Sequence, residues 1–174
     1  RAYGVLVRWR GRDGAGGLGP LQSVANTASV ADDRVGDLDG DGADDIVVPR
    51  AYGLMVRLSS GEVLHAPAGE VGTSSIRLYD VDGDGALDVV LGGGDLGVMF
   101  GDGQGEFSEA VVVETEHNLS RIVLADVDGD GDLDVVGDGP YAQAGAAFGG
   151  LTLFENDEGT FVPTLATPPS GMRS

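Results

Sequence analysis

The feature that most constrains this chain is an acidic segment of nine residues that occurs three times. It reads DLDGDGADD at residues 37–45, DVDGDGALD at 80–88 and DVDGDGDLD at 126–134. The three copies begin 43 and 46 residues apart, and a period in the forties is typical of repeat architectures. We therefore expect one structural unit for each copy, and we call the segments the first, second and third acidic loops.

Each loop carries aspartates at positions 1, 3, 5 and 9. They are Asp37, Asp39, Asp41 and Asp45, then Asp80, Asp82, Asp84 and Asp88, then Asp126, Asp128, Asp130 and Asp134. Carboxylates this close repel one another unless a cation lies between them, and Ca²⁺ takes about six to eight oxygen ligands. Glycine at position 6 permits the sharp turn that such a site needs. The position 7 carbonyl adds an oxygen, from Ala43, Ala86 or Asp132. The pattern predicts three calcium sites.

Two other interpretations of the loops are weaker. Asp and Gly also form ordinary solvated turns, but three copies with the same ninth residue argue against that reading. An EF-hand requires a glutamate at position 12, where this chain has Val48, Leu91 and Gly137. The β-branched run after each loop is typical of a strand. Each loop should therefore connect two strands, with its ninth aspartate on the first residue of the second strand.

Composition limits the possible partners. The net charge is −19, but 14 of the 29 acidic residues lie in the loops, and three Ca²⁺ ions would reduce the formal charge to −13. An acidic surface argues against nucleic acid or an anionic membrane as a partner. No apolar run is long enough for a transmembrane helix, so membrane insertion is not expected. A hydrophobic content of 41% is sufficient for a globular core.

The segments around each loop indicate four short strands per unit. Apolar residues alternate before the loop, as at Ile76 and Leu78, and the echo of residues 1–8 in residues 50–57 marks a third strand. Gly-rich turns lead to a fourth strand, and no segment has a convincing helical period. Four-stranded antiparallel meanders of this repeat length pack face to face as the blades of a β-propeller. The expected fold class is all-β.

The DxDGDGxxD pattern, the apolar strand after it and the turn GDGQGEF at residues 101–107 carry a family resemblance. They resemble the FG-GAP/VCBS repeats of integrin α-subunit propellers and of many secreted bacterial proteins, over nearly the whole chain. The resemblance implies that positions 1, 3, 5, 7 and 9 of each loop hold structural calcium. It also implies seven blades, whereas the sequence indicates about three and a half. We therefore expect part of a larger seven-bladed propeller.

The expected division of the chain follows the repeats. It comprises an outer half-blade at 1–27, blades at 28–70, 71–116 and 117–167, each with one acidic loop, and a disordered tail at 168–174. Residues 140–149 are interpreted as an insertion between the second and third strands of the last blade. A functional loop and a flexible connector are equally open interpretations of this insertion.

Catalysis is not expected. The histidines are His65 and His117, and the chain contains neither Cys nor Lys, so no nucleophile or base stands out. Both histidines are interpreted as ordinary surface residues. The aromatic residues that could form a sugar-stacking or protein-binding surface are instead expected to pack the blades: Tyr3, Trp9, Tyr52, Tyr79 and Tyr141.

The leading hypothesis is a calcium-stabilised binding or adhesion module of a secreted or cell-surface protein. All ten basic residues are Arg, which indicates a GC-rich and bacterial source. The expected partners are a protein or glycan ligand, and either the remainder of the propeller or a second copy at exposed blade faces. Two alternatives stay open: a lectin with sugar pockets between its blades, and a non-catalytic accessory domain of an extracellular hydrolase or lyase.

Overall fold

The computed structural model describes residues 34–50, 53–69, 71–115, 118–143 and 146–164, together with two short strands nearer the N-terminus. For residues 139–143 and 146–150 it describes the backbone alone. Within these ranges the regular secondary structure is β-strand, without an α-helix. The described part of the chain accordingly contains no helix long and apolar enough to cross a membrane.

Fourteen strands in the described ranges form four antiparallel sheets. A two-stranded sheet pairs β1 (Val5–Val7) with β2 (Gln22–Ala25). The first blade contains β3 (Val35–Gly36), β4 (Asp45–Arg50), β5 (Gly53–Arg57) and β6 (Val63–Ala66). The second contains β7 (Ser75–Tyr79), β8 (Asp88–Gly92), β9 (Leu96–Met99) and β10 (Val111–Val113). The third contains β11 (Arg121–Ala125), β12 (Asp134–Gln143), β13 (Ala146–Asp157) and β14 (Thr160–Thr164).

Each blade is a four-stranded antiparallel meander, because strands adjacent in sequence are also adjacent in the sheet. This arrangement confirms the predicted all-β fold of propeller blades. An acidic loop joins the first and second strands of every blade. As predicted, its ninth aspartate is the first residue of the second strand, at Asp45, Asp88 and Asp134.

The hydrophobic core lies between the blades, and strand β8 shows why. All five of its residues are buried, because alternate side chains face opposite neighbours. Val89 and Leu91 pack with residues of the first blade such as Val56, in what we call the first seam. Val90 packs with residues of the third blade such as Phe154, in the second seam. Each buried aliphatic side chain contributes about 1.5–3 kcal/mol, so both seams stabilise the middle blade.

The predicted insertion at residues 140–149 is wrong in one respect. Where it is described, it is an extension of the β12–β13 hairpin and not a separate loop, with Pro140 opposite Gly149 and Gln143 opposite Ala146. The small residues and the proline of this segment are typical of an irregular connector, which is why the sequence does not indicate a strand extension. A ladder pairs backbone groups, however, and a proline is tolerated where a strand has a free edge. This extension runs past the last residue of β12 that pairs with β11, Asp138.

Other predicted features lie partly outside the described residues. Strands β1 and β2 pair antiparallel, and the remaining structure of residues 1–27 is not described, so the half-blade there stays a prediction. The tail at 168–174 and His117 also lie outside the described residues, as do the side chains of Tyr3, Trp9, Tyr52 and Tyr141. Tyr79 packs against the core of the second seam. The blade boundaries and the seven-blade count stay predictions.

Candidate metal centres

The ninth aspartate of each acidic loop is a buried connection between the two hairpins of its blade. These residues, Asp45, Asp88 and Asp134, are each 0% exposed. One carboxylate oxygen accepts the backbone N–H of loop position 2, from Leu38, Val81 or Val127, at 2.8 Å in every loop. The other accepts a backbone N–H at the end of the third strand or just after it, from Ser59 at 2.7 Å, Gly101 at 2.8 Å or Asn156 at 2.9 Å. This carboxylate therefore satisfies two backbone donors inside the fold.

The other carboxylates curl inward over the turn, as the second loop illustrates. Asp80 accepts the backbone N–H of Gly83 at 2.8 Å and that of Gly85 at 2.9 Å. Asp82 and Asp84 each accept the backbone N–H two residues further on, at 3.2 and 2.8 Å. The first and third loops repeat the bonds at positions 3 and 5. Backbone N–H groups thus hold several carboxylates on the inner side of one turn.

Glycines at positions 4 and 6 permit this curl. In the second loop φ is +75° at Gly83 and +92° at Gly85, and both positions have a positive φ in the other loops as well. Residues with a side chain adopt such angles only at a cost. The prediction from the sequence covers position 6 alone, although glycine occupies position 4 in every copy as well.

Three carboxylate oxygens converge in each loop, all within 4.8 Å of one another. The groups are Asp37, Asp39 and Asp41; Asp80, Asp82 and Asp88; and Asp126, Asp128 and Asp134. Two oxygens that bind one Ca²⁺ at about 2.4 Å lie at most about 4.8 Å apart, so one ion could bridge each group. The donors are anionic oxygens, which suit a hard cation better than a soft one.

These groups differ from the predicted ligand sets. Asp45 in the first loop, Asp84 in the second and Asp130 in the third lie outside the convergent groups. The complete sets, with the carbonyl oxygens of position 7, therefore stay a prediction.

Burial raises the pKa of the Asp45 and Asp88 carboxyls above the ordinary aspartate value. The two backbone N–H bonds that each accepts oppose the shift, and repulsion from two other carboxylates of the same loop adds to it. In the third loop, the bond from the Asp130 N–H lowers the pKa of Asp128. Desolvation and the repulsion of neighbouring carboxylates together outweigh that bond, so this pKa is raised as well. A cation among these oxygens would favour their charged forms.

Sequence analysis missed two residues that hold the loops. Ser59 Oγ donates to Asp41 Oδ2 at 3.3 Å, and buried Asn156 donates from Nδ2 to the carbonyl oxygen of Val81 at 3.0 Å. Ser59 follows the third strand of its blade, and Asn156 lies near the end of β13. The backbone N–H of each residue reaches the ninth aspartate of its own blade. The three repeats carry different residues at this position, namely Ser59, Gly101 and Asn156. This difference between the repeats is the sequence signal that could have identified Ser59 and Asn156.

A cavity of about 200 Å³ lies between the first and second blades. Its lining includes the apolar side chains of Val56, Leu64 and Phe107 and the polar side chains of His65 and Glu106. His65 lies on the outer strand β6, and both polar residues are exposed. The cavity thus combines an apolar wall with two polar groups at its rim.

Comparisons with known proteins agree with this fold. Residues 80–137 match the family described as FG-GAP-like repeat, and this range contains the second and third acidic loops. Among seven solved chains that match is an Agrocybe aegerita lectin, reported in a study of its specific recognition of non-reducing terminal N-acetylglucosamine. It is 23% identical, with a TM-score of 0.52, over 92% of this chain and 45% of the lectin. The chain therefore spans less than half the length of that lectin, and the likeness shows the fold alone. A comparison with curated proteins gave no match.

Proposed function

We propose that this chain, a stretch of FG-GAP repeat β-propeller, is a calcium-stabilised binding or adhesion module of a secreted or cell-surface protein. The observation that carries the proposal is one loop geometry that recurs three times, with a buried ninth carboxylate and three convergent carboxylate oxygens in each copy. The family match supports it because residues 80–137 include two of the loops. We propose a non-catalytic role, since the chain carries neither Cys nor Lys and its acids are concentrated in the loops.

Calcium would stabilise the hairpin between the first and second strands of each blade. The ion supplies positive charge among carboxylates that otherwise repel one another, and the unfolded chain does not hold those carboxylates together. A ligand that binds only the native state adds RT ln(1 + [L]/Kd), or about 2.7 kcal/mol per site at a hundredfold excess over Kd. Extracellular calcium is a suitable supply for weak sites of this type, with Kd values of about 10⁻⁴–10⁻³ M.

Titration calorimetry with calcium chloride, combined with thermal melting, tests this proposal. We expect three equivalents of calcium and a Tm that rises with calcium and falls in EGTA. Asp82→Asn should remove one equivalent and leave two. Glu109→Gln, at an exposed acid outside the loops, should remove none. An unchanged Tm in excess chelator, or fewer than two equivalents, would contradict the proposal.

The outward face of the third blade supports the proposal that more propeller packs there. Position 2 of the acidic loops is 2% exposed at Leu38 and 3% at Val81, because each lies in a seam, but 51% exposed at Val127. Val123 and Leu151 share this face of the blade by register and are 55% and 58% exposed. An apolar face of this kind fits either a further blade or a second copy of this segment.

A glycan is the second candidate ligand, favoured by the cavity between the first two blades and by the fold shared with a lectin. A pyranose ring could lie on Phe107, with its hydroxyls bonded to His65 and Glu106. Titration of ¹⁵N-labelled protein with N-acetylglucosamine tests this. We expect the Gly105 and Glu106 amides to shift, and Phe107→Ala to abolish the shift. Val112→Ala, on a neighbouring strand, should leave it intact. The absence of any shift at millimolar sugar would exclude this monosaccharide as the ligand.

An accessory role beside an extracellular hydrolase or lyase is compatible with a protein ligand or a glycan ligand, because the catalytic residues would then lie in another domain. A catalytic domain adjoining this segment in its parent protein would favour that role. An adhesion module would instead bind its partner with no catalytic domain attached.

A further inference from the structure

We propose that Asn156 couples the second and third acidic loops, so that a calcium ion in either loop raises the affinity of the other. The inference rests on the proposed function in that both loops must bind calcium. It adds a role for a residue outside both loops. The observation that carries it is an unbroken series of hydrogen bonds across the second seam.

The series connects the ninth carboxylates of the two loops. Asp134 Oδ1 accepts the backbone N–H of Asn156 at 2.9 Å. The Asn156 side chain donates from Nδ2 to the carbonyl oxygen of Val81 at 3.0 Å. The backbone N–H of Val81 in turn donates to Asp88 Oδ2 at 2.8 Å. Asp134 and Asp88 both belong to the convergent carboxylate groups of their loops.

The Asn156 side chain is held in one orientation. It is 3% exposed, and its Oδ1 accepts the backbone N–H of Gly159 at 3.0 Å, which leaves Nδ2 to donate to Val81. Gly159 packs directly on the second loop, since a Cβ added there would lie 3.0 Å from the Cβ of Asp82. The end of the β13–β14 hairpin therefore contacts two consecutive residues of the second loop, Val81 and Asp82.

Ordering provides the physical basis for the coupling. A cation in the third loop would fix Asp134, and with it the Asn156 backbone that donates to that carboxylate. Asn156 would then hold Val81, whose chain neighbours are two predicted ligands, in the position that the second loop adopts with calcium. The second ion would have less conformational entropy to remove and would bind more tightly. Linkage requires the effect to be equal in the opposite direction.

The first loop lacks an equivalent connection through this position. Gly101 occupies the position of Asn156 in the second blade and has no side chain to reach the first loop. Ser59 occupies it in the first blade, and its hydroxyl donates to Asp41 within its own loop. We therefore expect coupling by this route between the second and third loops only.

Calcium titration of ¹⁵N-labelled protein resolves the loops separately. The amides of Gly42, Gly85 and Gly131, at position 6, report on the first, second and third loops. Asp128→Asn disables the third loop at an exposed position and should raise the calcium Kd of the second loop. We expect about a fivefold increase, which corresponds to a hydrogen bond of about 1 kcal/mol net. In an Asn156→Ala background, the same substitution should leave the second loop unchanged. Asp82→Asn should raise the Kd of the third loop by a similar factor.

Controls separate coupling from a purely structural role. Ser59→Ala, the matched substitution in the first blade, should leave the mutual effect of the second and third loops intact. Asn156→Gly is a second variant with the same expected loss of coupling as Asn156→Ala. The fold should accept it, because glycine already occupies the equivalent position of the second blade. In the Asp128→Asn protein, filling the second loop should still shift the Asn156 side-chain amide resonances. Absence of that shift would contradict a connection between the loops through the Asn156 side chain.

The possible outcomes are distinguishable. If Asn156→Ala weakens both loops but Asp128→Asn still raises the Kd of the second loop in that Asn156→Ala background, Asn156 is only structural and the coupling proposal is wrong. If the loops bind calcium independently in the unmodified protein, the coupling fails while the calcium proposal stands. If calcium shifts neither Gly85 nor Gly131, both proposals are wrong.

Discussion

Ser59 donates its backbone N–H to Asp45 Oδ1 at 2.7 Å, which joins the outer hairpin of the first blade to the residue that ends its acidic loop. The same bond recurs in the other two blades. It does not require a cation. The acids of each loop therefore fall into two classes: a buried ninth residue whose loss should weaken the fold itself, and half-buried or exposed residues whose loss should mainly weaken cation binding.

Asp88→Ala should destabilise the protein even without calcium. The substitution leaves the backbone N–H groups of Val81 and Gly101 without their acceptor, and each unsatisfied buried donor costs about 1–3 kcal/mol. We expect a loss of about 2–4 kcal/mol in urea unfolding with EGTA present. Asp84→Ala is the matched control, because Asp84 is exposed, and it should change stability by about 0.5 kcal/mol or less. Equal losses for the two variants would contradict a structural role for the ninth residue.

The pH dependence of stability should change sign with calcium. Burial raises the pKa of Asp88 in the folded, metal-free protein, so the folded state binds a proton more readily than the unfolded state. Stability without calcium should then rise as pH falls from the raised pKa toward the ordinary value of about 4. With calcium bound, the charged form is favoured, so acidification should release the ion and reduce stability.

Urea unfolding between about pH 4 and 7, with and without calcium chloride, measures both slopes. Asp88→Asn removes the titrating group and should reduce the metal-free slope. The same sign of slope in both conditions would contradict this account. Carboxyl ¹³C shifts of Asp88 give the direct check on its pKa.

Much of the fold could be predicted from the sequence, because the same pattern of an acidic loop followed by an apolar strand occurs three times. The sequence places the start of the strand after the second acidic loop at its ninth aspartate, and β8 is Asp88–Gly92, since a buried β-branched run directly follows the loop. Strand β12 continues to Gln143, into residues that the sequence indicates as an insertion. Its extension is held by backbone pairing, which leaves little trace in side-chain pattern. The positions of the acidic loops could therefore be predicted from the sequence, whereas the length of the β12–β13 hairpin could not.

The site could be predicted only in part for a related reason. Candidate ligand residues such as Asp80 and Asp82 lie within one short motif, so their spacing alone brings them together. Asn156 reaches Val81 across 75 residues of sequence, and its role depends on how two blades pack. No local pattern reports such a contact. A comparison of the repeats at one aligned position is what distinguishes Asn156 from Gly101.

Gly85→Ala should destabilise the second loop through backbone strain and not through a clash. The φ of Gly85 is +92°, and a Cβ added there meets no atom within 4 Å. Strain of this type costs about 1–3 kcal/mol. We expect the calcium affinity of the second loop to fall, while that of the first loop changes little. The Gly42 amide provides the comparison in a calcium titration, and an unchanged affinity of the second loop would show that the turn tolerates a side chain.

The isolated segment should self-associate through the outward face of its third blade. Val127 is 51% exposed there, whereas its counterparts Leu38 and Val81 are 2% and 3% exposed in the seams. Val123→Glu, on the same face but outside the acidic loop, replaces a 55% exposed apolar side chain by a charge and should lower the average mass measured by light scattering across a concentration series. Val112→Glu is the control, because Val112 is 48% exposed but lies on the outer strand of the middle blade. Both variants should retain calcium binding if the acidic loops are intact. Equal effects of the two substitutions would indicate nonspecific association and would argue against this face as the site where the next blade packs.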